Sequence, residues 1–182
     1  MTMNMAHIFS GSPKKLDNLL RRRILPARHL LEQMDIHPGN TLIDFGAGIG
    51  YFSIPALDLV GPTGQVIAID QFQRMLQELR RRAGERPNLI IVHATDLDDY
   101  TADIVLLVTV LHEIDDPQAF LTSCFHRLRP GGRLFVIDWQ KKRTLEGPPV
   151  RERIAKETLL AMTDRPHREH QIHDAFYFLE FW

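Results

Sequence analysis

Three glycines at alternate positions follow an acidic residue near the start of the chain. Residues 42–52 read LIDFGAGIGYF, in which a short apolar run reaches Asp44 before Gly46, Gly48 and Gly50. Glycine is used where the backbone must turn sharply, or where a ligand must approach closer than a Cβ atom would allow. The N–H groups of such a turn, and the positive end of a helix that follows it, can face a ligand. The segment therefore predicts a buried strand, a tight turn and a helix that form the floor of a small-molecule site.

The spacing of the glycines argues against a dinucleotide. The dinucleotide fingerprint is G-x-G-x-x-G, whose turn holds a pyrophosphate, whereas this chain has G-x-G-x-G followed by the bulky Tyr51 and Phe52. We therefore expect a ligand with little phosphate.

Three acids indicate which ligand the turn serves. Asp70 ends the next predicted strand, 20 residues after Gly50, where its carboxylate could accept hydrogen bonds from a ribose diol. Asp96 follows the third strand and could receive an adenine amino group. Asp44 precedes the turn and could compensate a positive charge. The sequence thus predicts a cationic ligand that contains adenosine.

Alternating strands and helices must position these residues. Apolar runs separated by helical patterns are typical of a parallel sheet covered on both faces. The predicted strands are 41–45, 65–70, 89–93, 104–110, 133–139, 167–173 and 176–182, and the predicted helices are 12–26, a short one around 30–34, 51–59, 74–83, 117–128 and 151–162. We expect a single doubly wound α/β domain over 1–182, with the last two strands forming an antiparallel hairpin. Residues 1–35 are predicted to be an N-terminal helical segment and 36–182 the core.

Composition excludes several classes of function. The chain has 182 residues, 44% of them hydrophobic, and a formal net charge of −1, so it lacks a global field that would attract nucleic acid or an anionic membrane. The arginine runs 21–23 and 80–82 could suggest RNA, but on a helix three consecutive side chains fan around the axis, and we interpret both runs as solvated faces. The single cysteine, Cys124, excludes an intrachain disulfide and fits a reducing compartment. With no signal peptide and no apolar run long enough to span a bilayer, the expected location is the cytoplasm.

Four segments, taken together, resemble the class I S-adenosylmethionine-dependent methyltransferases. They are 43–52 (IDFGAGIGYF), 66–70 (VIAID), 110–113 (VLHE) and 128–134 (LRPGGRL), and they occur in the family's order with family-like gaps. The most similar subgroup is the small-molecule branch that includes the ubiquinone/menaquinone-biosynthesis C-methyltransferases. The resemblance covers roughly residues 36–140 and implies a Rossmann-like, seven-stranded sheet, with S-adenosylmethionine as the cofactor and a small molecule as the methyl acceptor.

The resemblance also implies a role for each matching residue. The glycine turn would wrap the methionine half of the cofactor, the acid after the second strand would hold the ribose, and residues after the third and fourth strands would contact adenine and the methionine amino group. The cofactor-binding residues expected on this basis are Asp44, Gly46, Ala47, Gly48, Gly50, Asp70, Gln71, Met75, Asp96, Leu97, Thr109 and Val110.

Three residues are candidates for a general base. His112 and Glu113 follow the fourth strand and Asp138 ends the fifth, and ligands bind at the carboxyl ends of parallel strands. The intrinsic pKa of His112 suits proton transfer near neutrality. The alternative is a histidine that packs over the cofactor or caps a loop, and many methyltransferases need no base.

No metal site is expected. The histidines at 167, 170 and 173 lie on a predicted extended segment, where His170 would point away from the other two. Residues 112–116 (HEIDD) lack the second histidine of a zinc-protease motif, because Asp116 stands in its place.

Three classes of function remain open at this point. The first is a methyltransferase with a small acceptor; the second is an S-adenosylmethionine-binding protein without turnover that acts through a partner. The third is an RNA or protein methyltransferase, which is disfavoured because residues 109–116 carry no Asn-Pro-Pro-Tyr or Asp-Pro-Pro-Tyr element. Residues 1–35, including His7 and Phe9, are expected to be either a lid over the substrate pocket or an ordinary packing or dimer-contact segment. Oligomeric state is not predicted.

Overall fold

A single seven-stranded sheet organises the chain in the computed structural model, which describes residues 17–97 and 100–182. The strands lie in the order β3-β2-β1-β4-β5-β7-β6, and their bounds are Thr41–Phe45 (β1), Gln65–Asp70 (β2), Leu89–His93 (β3), Ala102–Val108 (β4), Leu128–Trp139 (β5), His167–Glu169 (β6) and Phe176–Phe181 (β7). The first five strands pair in parallel, whereas β7 pairs antiparallel with both β5 and β6. The predicted Rossmann-like sheet with an antiparallel C-terminal hairpin is confirmed.

Helices cover both faces of the sheet. They are α1 (Leu19–Ile24), α2 (Ala27–Glu32), α3 (Ser53–Val60), α4 (Gln73–Ala83), α5 (Pro117–His126) and α6 (Lys156–Leu160), with 3-10 turns at Leu111–Glu113 and Val150–Glu152. One hydrophobic cluster joins α1, α2 and α3 to one face, and a second joins α5 and α6 to the other. Because side chains alternate along a strand, neighbours such as Ile104 and Val105 enter opposite clusters. This two-sided burial explains why β4 is apolar from Ile104 to Val108.

Several element bounds differ from the sequence prediction. The helix predicted over 151–162 is a 3-10 turn followed by the short α6, because the backbone is extended at Arg153 and Ala155. Strand β5 begins at Leu128 rather than 133, since the chain already pairs with Ala102 and then bulges before Ile104 meets Arg133. The first helix begins at Leu19, where Asn18 caps it, and the predicted start at 12–13 lies outside the described residues.

No helix within the described ranges is long and apolar enough to cross a membrane.

The glycine turn between β1 and α3 is a strained, closely packed stretch of backbone. Gly46, Gly48 and Gly50 all have positive φ, at 76°, 55° and 80°. A Cβ atom on Gly50 would lie 2.9 Å from Leu79 Cγ of α4 and 3.1 Å from Ile54 Cγ1. Gly50 therefore allows the turn to pack against α4, a contact that the sequence pattern did not predict.

We expect Gly50→Ala to destabilise the protein more than Gly131→Ala does. Both glycines have nearly the same φ, 80° and 78°, but nothing lies within 4 Å of a Cβ built on Gly131. A left-handed alanine costs about 1–2 kcal/mol in either place. Overpacking against Leu79 should add about 1–3 kcal/mol at position 50 alone. Urea unfolding measures both, and equal losses would show that the close contact carries no energetic weight.

Candidate functional site

A cavity of about 660 Å³ opens at the carboxyl ends of the parallel strands. Its walls come from the glycine turn, the ends of β2, β4 and β5, helix α1 and the loop after β5. The lining residues that bear on function are Asn18, Arg21, Ile24, Asp44, Gly46, Ala47, Gly48, Tyr51, Phe52, Asp70, Gln71, Met75, Thr109, Val110, His112, Glu113, Trp139, Glu146, Gly147, Pro148, Pro149, Glu152 and Phe176. The volume falls within the range of small-molecule sites.

The carboxylate of Asp70 fixes the glycine turn to the end of β2. Gly48 N donates to Asp70 Oδ2 at 2.8 Å, and Phe72 N donates to Asp70 Oδ1 at 2.8 Å. Burial raises the pKa of Asp70, although the two backbone donors act in the opposite direction. The residue predicted to hold a ribose therefore also shapes the turn across which a ligand would lie.

A second buried carboxylate lies beneath the turn. Asp44 Oδ2 accepts a 2.5 Å hydrogen bond from Ser53 Oγ at the start of α3. Burial is the main reason that the pKa of Asp44 rises to about 6, and the nearby Asp70 raises it further, while Ser53 partly opposes the change. The cavity thus has two acidic groups on the side where the sequence predicted a cationic ligand.

A histidine and an aspartate form a buried pair at the ends of β4 and β5. His112 Nδ1 lies 2.7 Å from Asp138 Oδ1, and His112 N donates to Asp138 Oδ2 at 3.2 Å. The His112 side chain is 5% exposed and that of Asp138 is 1% exposed. Trp139 N also donates to Asp138 Oδ1, at 2.7 Å. These contacts fix the orientation of the imidazole and leave Nε2 unbonded to Asp138.

The surroundings of the pair change its proton affinity. Burial alone would lower the pKa of His112, but attraction to Asp138 and the hydrogen bond between them outweigh it, so the pKa is raised. Glu113 Oε1 lies 3.9 Å from His112 Nε2. Burial raises the pKa of Glu113 to about 7, with His112 acting against the shift and Asp138 adding to it. All three residues predicted as catalytic candidates are therefore brought together.

An aromatic compartment adjoins the pair. Tyr51, Phe52, Trp139 and Phe176 line the cavity, and the rings of Trp139 and Phe176 lie 4.3 Å apart, centre to centre. Sequence analysis did not identify this compartment, because its residues come from the turn before α3, from β5 and from β7, and they share no motif.

Arg153 fastens the loop that closes this compartment. Its five N–H groups donate to the carbonyl oxygens of residues 140, 142, 146 and 148 and to Thr144 Oγ1, at distances of 2.8–3.3 Å. The guanidinium lies over Trp139, with Cζ 5.1 Å from the ring centre. Gly147 fits between them, since a Cβ there would lie 2.9 Å from Trp139 Cδ2 and 3.0 Å from Arg153 Nη2. The residue was missed because an arginine that binds only carbonyl groups leaves no charge pattern in the sequence.

Arg21 corrects one interpretation made from the sequence. Residues 21–23 were expected to form a solvated face, and Arg22 and Arg23 are indeed exposed. Arg21 instead lines the cavity, with Nη2 3.5 Å from Thr109 Oγ1. Three consecutive side chains on a helix point in different directions, as the sequence analysis assumed. Because α1 packs over a cavity, one of these directions faces the cavity, and Arg21 occupies it.

Most of the predicted cofactor-binding residues line the cavity, but three do not. Gly50 packs beneath the turn, Asp96 is exposed on the loop after β3, and Leu97 is buried in the second hydrophobic cluster.

Cys124 is fully buried in that same cluster, and burial raises the pKa of its thiol. It lies away from the cavity lining, as expected for a residue with a packing role.

The histidines of β6 and the following loop take separate partners. His170 Nε2 lies 2.7 Å from Glu180 Oε2, and the ring of His167 lies 5.9 Å from that of Phe181. Within residues 17–97 and 100–182, no three histidine, cysteine or acidic side chains converge in a way that could hold a metal ion.

Comparison with known proteins places this cavity in a family. The family described as "methyltransferase domain" matches residues 43–136, just over half of the chain. The ubiquinone/menaquinone biosynthesis C-methyltransferase UbiE of Pasteurella multocida is 31% identical over 150 residues, which cover 78% of this chain and 56% of that protein. The chain spans 34% to 56% of the length of the first three curated relatives it matches.

Solved structures share the fold. A SAM-dependent methyltransferase from Aquifex aeolicus superimposes with a TM-score of 0.84 at 23% identity, covering 94% of this chain and 98% of that one. The DhpI–SAH complex superimposes with a TM-score of 0.67 at 20% identity, covering 88% and 84%. The sheet order, the glycine turn with its two acids and the family match lead to one conclusion: the chain belongs to the class I S-adenosylmethionine-dependent methyltransferases, and S-adenosylmethionine is its cofactor.

Proposed function

We propose that the protein transfers a methyl group from S-adenosylmethionine to a small-molecule acceptor, with His112 as the general base. The observation that carries the proposal is the buried His112–Asp138 pair, which lines the same cavity as the glycine turn. A cofactor-binding protein without turnover would have no need for an oriented imidazole beside that turn.

The residues around the turn fit the cofactor. The cofactor carries a sulfonium charge and a ribose diol. The cavity presents the carboxylates of Asp44 and Asp70 beside the glycine turn. We assign the ribose hydroxyls to Asp70 and the methionine half to the glycine turn. Gln71 and Met75 line the cavity next to Asp70 and would lie along the adenosine. The predicted adenine contacts of Asp96 and Leu97 are not part of this proposal, because neither residue lines the cavity, whereas Ala94 and Thr95 of the same loop do.

The acceptor is proposed to be a flat, largely apolar molecule with an ionisable proton. Four aromatic residues line the compartment beside His112, and aromatic walls favour planar partners. Relatives are named as C-methyltransferases of ubiquinone and menaquinone biosynthesis, which supports a hydroxylated aromatic ring as the acceptor class.

The single cysteine supports a cytoplasmic location.

The bound cofactor supplies a methyl group on a positively charged sulfur, open to in-line displacement. The protein contributes alignment and a water-poor compartment. With Nδ1 bonded to Asp138, the lone pair of His112 resides on Nε2, which can accept the proton that the acceptor loses. With the cofactor bound, the acceptor atom would take the methyl group, the electron pair of the broken carbon–sulfur bond would remain on sulfur, and the proton that the acceptor loses would pass to His112 Nε2. Asp138 positions the imidazole and stabilises its charged form.

A methyl-transfer assay with labelled cofactor and a panel of hydroxylated aromatic molecules tests the activity. We expect transfer to at least one of them, and His112→Asn should lower kcat by about 10²- to 10⁴-fold, the usual contribution of a general base. Calorimetry should show that the variant still binds S-adenosylhomocysteine within about twofold of wild type.

His126→Asn is the matched control, because His126 is exposed at the end of α5 and lies outside the cavity lining. Cofactor binding without transfer to any acceptor would contradict the enzymatic proposal and favour a role in binding alone. Full activity of His112→Asn would contradict only the role of the base.

The pH dependence of kcat/KM tests the pairing of His112 with Asp138. A base must be neutral to accept a proton, so activity should rise with pH through the raised pKa of His112. In Asp138→Asn the burial of the ring remains while the attraction is lost, so the inflection should move to lower pH and the plateau should fall.

The titration of the imidazole by NMR reports the same pKa without turnover. Asp103→Asn, at the opposite end of β4, should leave the His112 titration unchanged. An inflection that stays in place in Asp138→Asn would mean that Asp138 does not set the pKa of His112.

A further inference from the structure

Among residues 17–97 and 100–182, Arg21 is a cation that faces the cavity without a charged partner. Arg21 lies on α1 with its Cζ 5.4 Å from the centre of the Tyr51 ring and its Nη2 3.5 Å from Thr109 Oγ1. Its Nε atom is buried and has no hydrogen-bond partner among the described residues. At 3.5 Å the contact with Thr109 is at the outer limit of a hydrogen bond, and it is the one side-chain hydrogen bond that the guanidinium makes to a residue in the described ranges.

The acids around Arg21 do not neutralise it. Asp17 forms ion pairs with Arg22 and with Arg82 of α4. Glu146 lines the same cavity but is exposed, and neither acid comes within ion-pair distance of Arg21 among the described residues. Burial lowers the pKa of Arg21, against a weaker opposing effect of Tyr51, Glu146 and Asp17. A desolvated guanidinium of this kind is costly unless an anion pairs with it.

Helix α1 is held so that Arg21 keeps this position. Asn18 caps the helix by accepting a 2.8 Å bond from Arg21 N, and Tyr51 Oη donates to Leu25 O at 2.9 Å. The ion pair between Asp17 and Arg82 ties the start of the helix to α4. These contacts hold the guanidinium at the cavity wall.

The order of the strands indicates which anion reaches Arg21. Asp70 ends β2, the glycine turn follows β1, and Thr109 follows β4, on three adjacent strands. A ligand whose ribose lies at Asp70 and whose chain crosses the glycine turn ends beside Thr109. In S-adenosylmethionine that end is an amino acid, and its carboxylate is the anionic group of the ligand. The bidentate geometry of an arginine fork suits a carboxylate.

We propose that Arg21 binds the carboxylate of the methionine part of S-adenosylmethionine. The proposal rests on the placement of the ribose at Asp70 under the proposed function, but not on turnover or on the identity of the acceptor. It makes α1 part of the cofactor site, whereas the sequence prediction assigned this segment only to a lid or a packing element.

Calorimetric binding of two ligands tests the proposal. One is S-adenosylhomocysteine, and the other is its decarboxylated analogue, S-adenosyl-3-thiopropylamine, which lacks only the carboxylate. Arg21→Gln should weaken binding of S-adenosylhomocysteine on the order of 10- to 100-fold, as expected for the loss of a charged hydrogen-bonded pair. The same substitution should change binding of the decarboxylated analogue by less than about threefold, since the missing group is the one that Arg21 binds.

Arg23→Gln is the matched control, because Arg23 lies on the same helix and is exposed; it should bind both ligands as wild type does. Arg21→Lys keeps the charge without the fork and should show a smaller but still carboxylate-selective loss, which provides a second test if the glutamine variant does not fold. Equal losses for the two ligands, or no loss for either, would overturn the proposal. Because the assay needs no acceptor, its failure is distinct from a failure to find methyl transfer.

Discussion

The functional end of the sheet depends on the desolvation of three carboxylates. Asp44, Asp70 and Asp138 stand at or next to the last residues of β1, β2 and β5, and only 2%, 7% and 1% of their respective surfaces are exposed. A buried carboxylate is costly unless donors satisfy it. Each of the three recruits a different donor set, and those donors determine the surrounding structure.

The donors that satisfy these three acids also define the site. Ser53 satisfies Asp44 and thereby fixes the start of α3, whereas the backbone of the glycine turn satisfies Asp70. Asp138 takes the ring and the backbone N–H of His112, which orders the 3-10 turn after β4. The same hydrogen bonds therefore satisfy the buried acids and set the shape of the cavity, since each donor also orients part of its wall.

The elements next to these acids were largely predictable from the sequence. Strands β1, β2 and β4 are apolar and bounded by turn residues, so their existence and parallel order follow from local pattern. The fold and the family were confirmed on that basis, and the predicted bases His112 and Asp138 do lie together because both follow neighbouring strands.

The remaining features depend on tertiary packing that no local pattern records. The helix predicted over 151–162 fails at Arg153, where the backbone is extended and the side chain binds the loop after β5 instead of solvent. Arg21 was placed on a solvated face because helical geometry alone cannot show which of three arginines faces a cavity. Leu97 illustrates the same limit: it follows β3 as expected, but its side chain enters the core.

The layered contact of Trp139, Gly147 and Arg153 has a consequence for the range of acceptors. Gly147 leaves no gap between the indole and the guanidinium, and Trp139 is itself the last residue of β5. The wall of the aromatic compartment is thus attached to the central sheet through Trp139, and under the proposed function its shape would be set before an acceptor binds. Such a compartment would select acceptors by their shape, because its walls would lose little conformational entropy when an acceptor binds. Changes in preference would then arise through the side chains that line the wall, such as Pro148 and Glu152, and not through swaying of the loop.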